Sequence, residues 1–210
     1  MPDHVILLHG IWMRGIAMLP LARRLRAAGF RVDTLDYPSV VGSWEDSARR
    51  LAEHWRQCGP HKVHVVGHSL GGLLALHVAA HHVGLPEGRM VCLGSPLRGS
   101  AAAHRMGRLP GGQWLMGQSS PILHDGLPAW QGERPVGVIA GSTPVGLGSL
   151  LGVLETPHDG TVSVAETRLD GIDAHRIVAH THTGLAFSGE VAALTVEFLR
   201  AGRFPEQVTP

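Results

Sequence analysis

Ser69 stands in Gly67-His68-Ser69-Leu70-Gly71-Gly72, directly after the apolar run Val63–Val66 and directly before the helical pattern Leu70–His82. A serine at a sharp turn from strand into helix holds an unfavourable backbone conformation, at a cost of roughly 1–3 kcal/mol. The turn presents the hydroxyl at a helix N-terminus, where amide N–H groups and the helix dipole favour developing negative charge. Side chains two residues to either side would collide there, so sterics call for Gly67 and Gly71, with His68 completing the elbow. Gly72 lets the helix approach the neighbouring strands. This arrangement suits nucleophilic attack on a carbonyl carbon. Its bland alternative is a Gly-rich helix start with an incidental serine, and the flanking strand and helix argue against that.

A serine nucleophile needs an imidazole to take its proton, and the imidazole needs an acid to fix its tautomer. The chain has fifteen histidines, so the choice of base is a real one. His182, in His180-Thr181-His182-Thr183-Gly184, follows the last strand pattern and precedes the last helix. Thr183-Gly184 predicts a loop that swings its ring towards Ser69, and His180 is the close competitor. The usual chain order of serine, acid, histidine selects Asp159, in Pro157-His158-Asp159-Gly160-Thr161-Val162. Asp159-Gly160 is also a turn signal, so a loop cap is its alternative. Asp125 falls too early, and Asp170 and Asp173 directly precede a strand and should point away. Activity is then expected to fall as His182 becomes protonated.

Acyl transfer also needs two donors aimed at the new oxyanion, each worth on the order of 3 kcal/mol. One is expected to be the amide of Leu70. The other is assigned to Ile11, in Leu7-Leu8-His9-Gly10-Ile11-Trp12, where Gly10 lets the backbone turn inward. A plain glycine turn is the alternative. Ile11, Trp12 and Met13 are candidates for an acyl pocket, with Trp114, Leu115, Met116 and Trp130 closing it. Ordinary packing accounts for such loosely spaced apolar residues about as well.

The elements that must position these groups alternate. Strand patterns at Val5–Leu8, Phe30–Leu35, Val63–Val66, Arg89–Leu93, Pro135–Ala140 and Asp173–Ala179 are separated by helical patterns. The helices are expected at Ile16–Ala28, interrupted by Pro20 and closed by Gly29, from Ser43 to Gln57, at Leu70–His82 and at Gly189–Ala201. Such a succession predicts an α/β fold, a mostly parallel sheet with helices on both faces. Ligands of such sheets bind beyond the carboxyl ends of the strands, where the candidate residues fall. Residues 97–134 break into short apolar pieces, a small cap at most, and a long Gly-rich loop runs from Gly141 to His158. A single domain over residues 1–210 is expected.

Composition narrows the function classes. With 18 basic against 17 acidic residues, nothing favours nucleic acid or an anionic membrane. No apolar run is long enough to span a bilayer, and no leader pattern precedes the first strand, so a cytoplasmic location is expected. Cys58 and Cys92 form no CxxC pair. Cys92 reads as a small buried hydrophobe, and no disulfide framework is expected. The histidines lack HExxH or Cys/His patterns, GxxxxGK[ST] is absent and Gly146–Gly152 does not match GxGxxG, so neither metal nor cofactor is expected.

Taken together, Leu8-His9-Gly10-Ile11, Gly67–Gly72, Gly94-Ser95-Pro96 with Gly99-Ser100, Asp159–Val162 and His182–Gly184 resemble the small bacterial lipases and esterases of the α/β-hydrolase superfamily. The resemblance runs nearly end to end. It is similar in particular to a lipase-like branch ending in Phe-Leu-Arg-x-Gly-Arg-Phe, here Phe198–Phe204. That branch carries Ser, Asp and His at the positions of Ser69, Asp159 and His182. The resemblance implies an α/β-hydrolase fold and metal-independent hydrolysis of acyl esters through a covalent acyl-enzyme. The long loop before Asp159 and the lack of a large lid depart from it. The expected substrate is a small-molecule or lipid ester with a short to medium acyl chain. A thioesterase or lipid deacylase with the same triad is the alternative, and a non-catalytic binding protein is a more remote one.

Overall fold

Strand β1, His4–Leu8, is buried at every position, because it lies inside a sheet covered on both faces. Val5 and Leu7 point into one apolar layer, whereas Ile6 and Leu8 point into the other. The two-residue period of a strand thus turns one continuous apolar run into two core contributions. This computed structural model describes residues 2–59, 61–146 and 154–206.

The remaining strands are β2 (Arg31–Leu35), β3 (Val63–His68), β4 (Met90–Leu93), β5 (Val136–Gly141) and β6 (Ala174–Val178). They form one sheet in the order β2-β1-β3-β4-β5-β6, and every pairing is parallel. The order reverses between β1 and β3, so a crevice opens at the carboxyl ends of these two strands.

Helix α1 (Leu19–Ala27) and helix α8 (Gly189–Ala201) cover one face, with Leu21, Leu25, Phe198 and Leu199 fully buried. Helices α2 (Trp44–Gln57) and α3 (Leu70–His81) cover the other. Ser43 caps α2 by accepting the Asp46 amide at 3.0 Å, and Ala48, Leu51, Ala52 and Trp55 face the sheet. Helix α3 is apolar on nearly all sides because it is enclosed by the sheet, α2 and the segment after β4. At Gly72 a Cβ would lie 2.1 Å from Ser95 Oγ, which fixes how closely α3 approaches the end of β4.

The helix expected over Ile16–Ala28 starts later. A 3₁₀ turn occupies Gly15–Met18, and Pro20 lies in the first turn of α1, where its missing N–H costs nothing. The segment expected to be a cap contains three short helices, α4 (Ala101–Gly107), α5 (Gly112–Met116) and α6 (Ser120–Asp125). His104 stacks on His124 at 4.4 Å and joins α4 to α6. Among the described residues no helix is long and apolar enough to cross a membrane.

Candidate active site

Ser69 is the hinge between β3 and α3. Its backbone sits at φ +53°, ψ −120°, a strained conformation for a residue with a side chain, and its N–H donates to the Leu93 carbonyl at 2.8 Å. A Cβ on Gly67 would lie 2.3 Å from the Gly71 carbonyl carbon and from the Gly72 nitrogen, so the elbow closes only without one. Ser69 occupies the N-cap position of α3, yet its hydroxyl does not cap the helix. Leu70 is the first helical residue, with its amide at the positive end of the helix dipole.

Asp159, from a loop, and His182, from the start of a helix, meet beyond the ends of β4 and β5. His182 Nδ1 donates to Asp159 Oδ2 at 2.7 Å, and the His182 amide donates to the Asp159 carbonyl at 2.8 Å. Asp159 Oδ1 accepts the amides of Thr161 and Val162 at 2.9 and 2.8 Å. The carboxylate is 1% exposed, and three hydrogen bonds satisfy it there. With Nδ1 holding the proton, Nε2 is the nitrogen left to accept one. His182 does not lie in a loop as expected. It opens helix α7 (His182–Phe187), because Thr181 caps that helix by accepting the Gly184 amide at 3.1 Å.

The competitor His180 is turned elsewhere. Its Nε2 lies 3.0 Å from Glu190 and 2.8 Å from Ser188 Oγ, at the start of α8. Asp173 also points away, accepting the Val136 amide at 2.8 Å at the amino end of the sheet.

Two residues matter in ways that their motifs do not express. Gly94, at φ +56°, allows the pair to sit on the end of β4. A Cβ there would lie 3.0 Å from Asp159 Oδ2 and 3.1 Å from His182 Nδ1. His68 is fully buried beneath His182, with ring centroids 4.8 Å apart, and its Nε2 donates to the His182 carbonyl at 2.9 Å. Burial pushes the His68 imidazole down to about 3, with the neighbouring His182 adding to the shift, so it is a neutral donor. Its Nδ1, the acceptor nitrogen in that tautomer, has no hydrogen-bond partner among the described residues. The Gly94-Ser95-Pro96 and Gly67–Gly72 motifs mark these residues without revealing such contacts.

The Ile11 turn passes directly over the elbow. A Cβ on Gly10 would lie 3.1 Å from both Ser69 Cβ and His68 Nδ1. The turn is tied to β2 from behind, since Tyr37 donates its hydroxyl to the His9 carbonyl at 2.7 Å and stacks on the His9 ring at 4.4 Å.

Ser69, His182, Gly10 and Ile11 share one cleft of about 370 Å³, walled largely by apolar side chains. Trp12, Met13 and Met116 line it, and Ala103, Met106 and Leu123 add a further wall from α4 and α6. Trp114 does not line it, being 82% exposed on the opposite side of the short helix α5. Trp130 is buried but belongs to a different cleft at the amino edge of the sheet, where its Nε1 donates to the Arg134 carbonyl. The Leu115 side chain and positions 147–153 of the Gly-rich loop lie outside the described residues.

A serine on a strained turn, an imidazole held by a carboxylate, and backbone turns over the same apolar cleft together have the parts for nucleophilic acyl transfer. Fold and site together define the class, and residues 5–202 match the alpha/beta hydrolase family, to which this chain belongs. It is 38% identical over 88 residues to a pimeloyl-[acyl-carrier protein] methyl ester esterase of Vibrio vulnificus, a match covering 39% of this chain and 32% of the relative. A Vibrio cholerae protein of the same name is 36% identical over 85 residues, covering 37% of this chain and 31% of the relative. These matches thus span about a third of the relatives' length. Among solved structures, the Bacillus licheniformis lipase BlEst2 in its propeptide form superposes at a TM-score of 0.83 with 18% identity, over all of this chain and 52% of that one. The Paleococcus ferrophilus monoacylglycerol lipase gives 0.66 with 17% identity, covering 96% of each chain. The type II thioesterase BorB gives 0.68 with 17% identity, covering 95% of this chain and 92% of that one. At such identities these structures speak for the fold.

Proposed function

We propose that this hydrolase cleaves carboxylic esters through an acyl-enzyme, with Ser69 as nucleophile, His182 as general base and acid, and Asp159 orienting His182. The 2.7 Å bond from His182 Nδ1 to the buried Asp159 carboxylate carries the reading, because it leaves Nε2 basic in the cleft that holds Ser69. Ser69 Oγ bonds to the carbonyl carbon as its proton passes to His182 Nε2. The amides of Leu70 and Ile11 receive the oxyanion. Protonated His182 then gives its proton to the departing alcohol, leaving an acyl-Ser69 ester. Water then bonds to the acyl carbon as His182 takes its proton, and the bond to Ser69 Oγ breaks as His182 returns that proton to it, releasing the acid.

The apolar cleft supports a short to medium acyl chain as substrate. A second reading, a thioesterase or lipid deacylase with the same residues, draws on the Vibrio relatives, whose name includes an acyl-carrier protein. A graded series of soluble p-nitrophenyl esters, run beside the matching acyl thioesters, separates the two. The proposal expects kcat/KM to favour the esters and to vanish in Ser69→Ala. A thioester preference of tenfold or more would transfer the assignment to the second reading. Strong preference for long-chain emulsions would overturn the chain-length assignment.

A further inference from the structure

At the opposite end of the sheet from Ser69, four side chains with metal-binding atoms converge. His4 opens β1 and Asp33 lies on β2, opposite Ile6 in the parallel register. With its two-residue period, β1 turns His4 and Ile6 to the same face as Asp33. Helix α2 covers that face and brings His54 and Cys58 there, four residues apart and so on one side of the helix end. His4 Nε2 lies 2.9 Å from Asp33 Oδ2, and His54 Nε2 lies 3.4 Å from the same oxygen. Cys58 Sγ lies 4.0 Å from His4 Nε2, and the ligand atoms of His4, Asp33 and Cys58 all fall within 4.8 Å of one another.

We infer that His4, Asp33 and Cys58 form a three-ligand zinc site that fastens the end of α2 to strands β1 and β2. A hydrogen-bonded His4–Asp33 pair alone accounts for His4 Nε2. It does not account for the approach of the Cys58 sulfur, which donates to the His54 carbonyl at 3.2 Å and also lies 4.0 Å from His4 Nε2. A cation among the three takes up a lone pair from each. Tetrahedral zinc, with bonds of roughly 2.0–2.3 Å, sets its ligand atoms about 3.3–3.7 Å apart, so the three atoms, all within 4.8 Å of one another, draw together around it. An imidazole, a thiolate and a carboxylate suit zinc in type, the two anions balance its charge, and water takes the fourth position.

Binding exchanges the Cys58 thiol proton for a sulfur–zinc bond and releases one proton to solvent.

The test uses the whole chain, stripped of metal by chelation and titrated first with cobalt(II), then with zinc(II). The expected result is one equivalent of cobalt giving a thiolate charge-transfer absorption that zinc abolishes. Zinc at about a hundredfold over its Kd should raise the melting temperature by roughly 5–10 °C. Cys58→Ser should remove the absorption, and Asp33→Asn should weaken zinc at least tenfold. Both positions are only partly buried, so these variants fold. No thiolate absorption at stoichiometric cobalt would overturn the site. Equal zinc affinity in wild type and Cys58→Ser would also overturn it, assigning the metal to other histidines.

Discussion

Asp159 and His182 are joined twice, by the 2.7 Å bond between their side chains and by the 2.8 Å bond from the His182 amide to the Asp159 carbonyl. The backbone bond fixes where the histidine starts α7, and the side-chain bond fixes which ring nitrogen holds the proton. Asn in place of Asp159 would keep a carbonyl oxygen for the Thr161 and Val162 amides. Its NH₂ would face Nδ1, however, and force the proton onto Nε2. Asp159→Asn is therefore expected to keep the fold and to lower kcat by roughly 10³–10⁴-fold, read from ester hydrolysis beside a thermal melt. A loss below tenfold would mean that Asp159 does not orient the base.

His68 holds the same histidine from below through its carbonyl. Leu fills a similar space without a donor and leaves that carbonyl unpaired, at a cost of about 1–3 kcal/mol. His68→Leu is expected to melt roughly 2–10 °C lower and to lose activity in kcat rather than KM. A rise in KM at constant kcat would place His68 in substrate binding instead.

Acid should unfold this chain through its buried histidines. His68 is held at about 3 and His175 at about 4, and burial also lowers His64 and His77. An unfolded imidazole titrates near 6.5, so below that pH the unfolded chain binds more protons than the folded one. Stability is therefore full above about pH 6.5 and declines as the pH falls towards 4. A fully buried imidazole such as His68 contributes up to about 1.4 kcal/mol per pH unit to that slope. Denaturant titrations across this window should show a shallower decline in His68→Leu. Equal slopes in the two proteins would contradict the assignment.

The cleft wall sets chain length. Met116 is 1% exposed and lines the cleft, so Met116→Ala should favour longer acyl chains over short ones by roughly tenfold. Trp114, two residues away but exposed, should tolerate Ala with no change in the chain-length profile. An effect at Trp114 as large as that at Met116 would show that α5 turns in solution.

The contrast between these neighbours shows what the sequence could and could not reveal. The strands were legible because a parallel sheet buried on both faces must be apolar at successive positions, as in Val5–Leu8. Ser69 was legible because its turn demands glycines at fixed offsets. Short helices gave no such signal. Gly112–Met116 is too brief for a periodic apolar stripe, so its buried and exposed faces could not be told apart. The start of α1 and the whole of α7 carry no such signal for a related reason, since Pro20 and Thr181 act on backbone groups within one turn. His68 and the His4 cluster depend on contacts between distant segments, which no local pattern records.

The central claim is that Ser69 is an activated nucleophile, and labelling with a fluorophosphonate tests it most directly. Intact mass spectrometry should show a single stoichiometric adduct on the wild-type chain and none on Ser69→Ala. No adduct on the folded wild-type protein, or an adduct that survives in Ser69→Ala, would contradict the account.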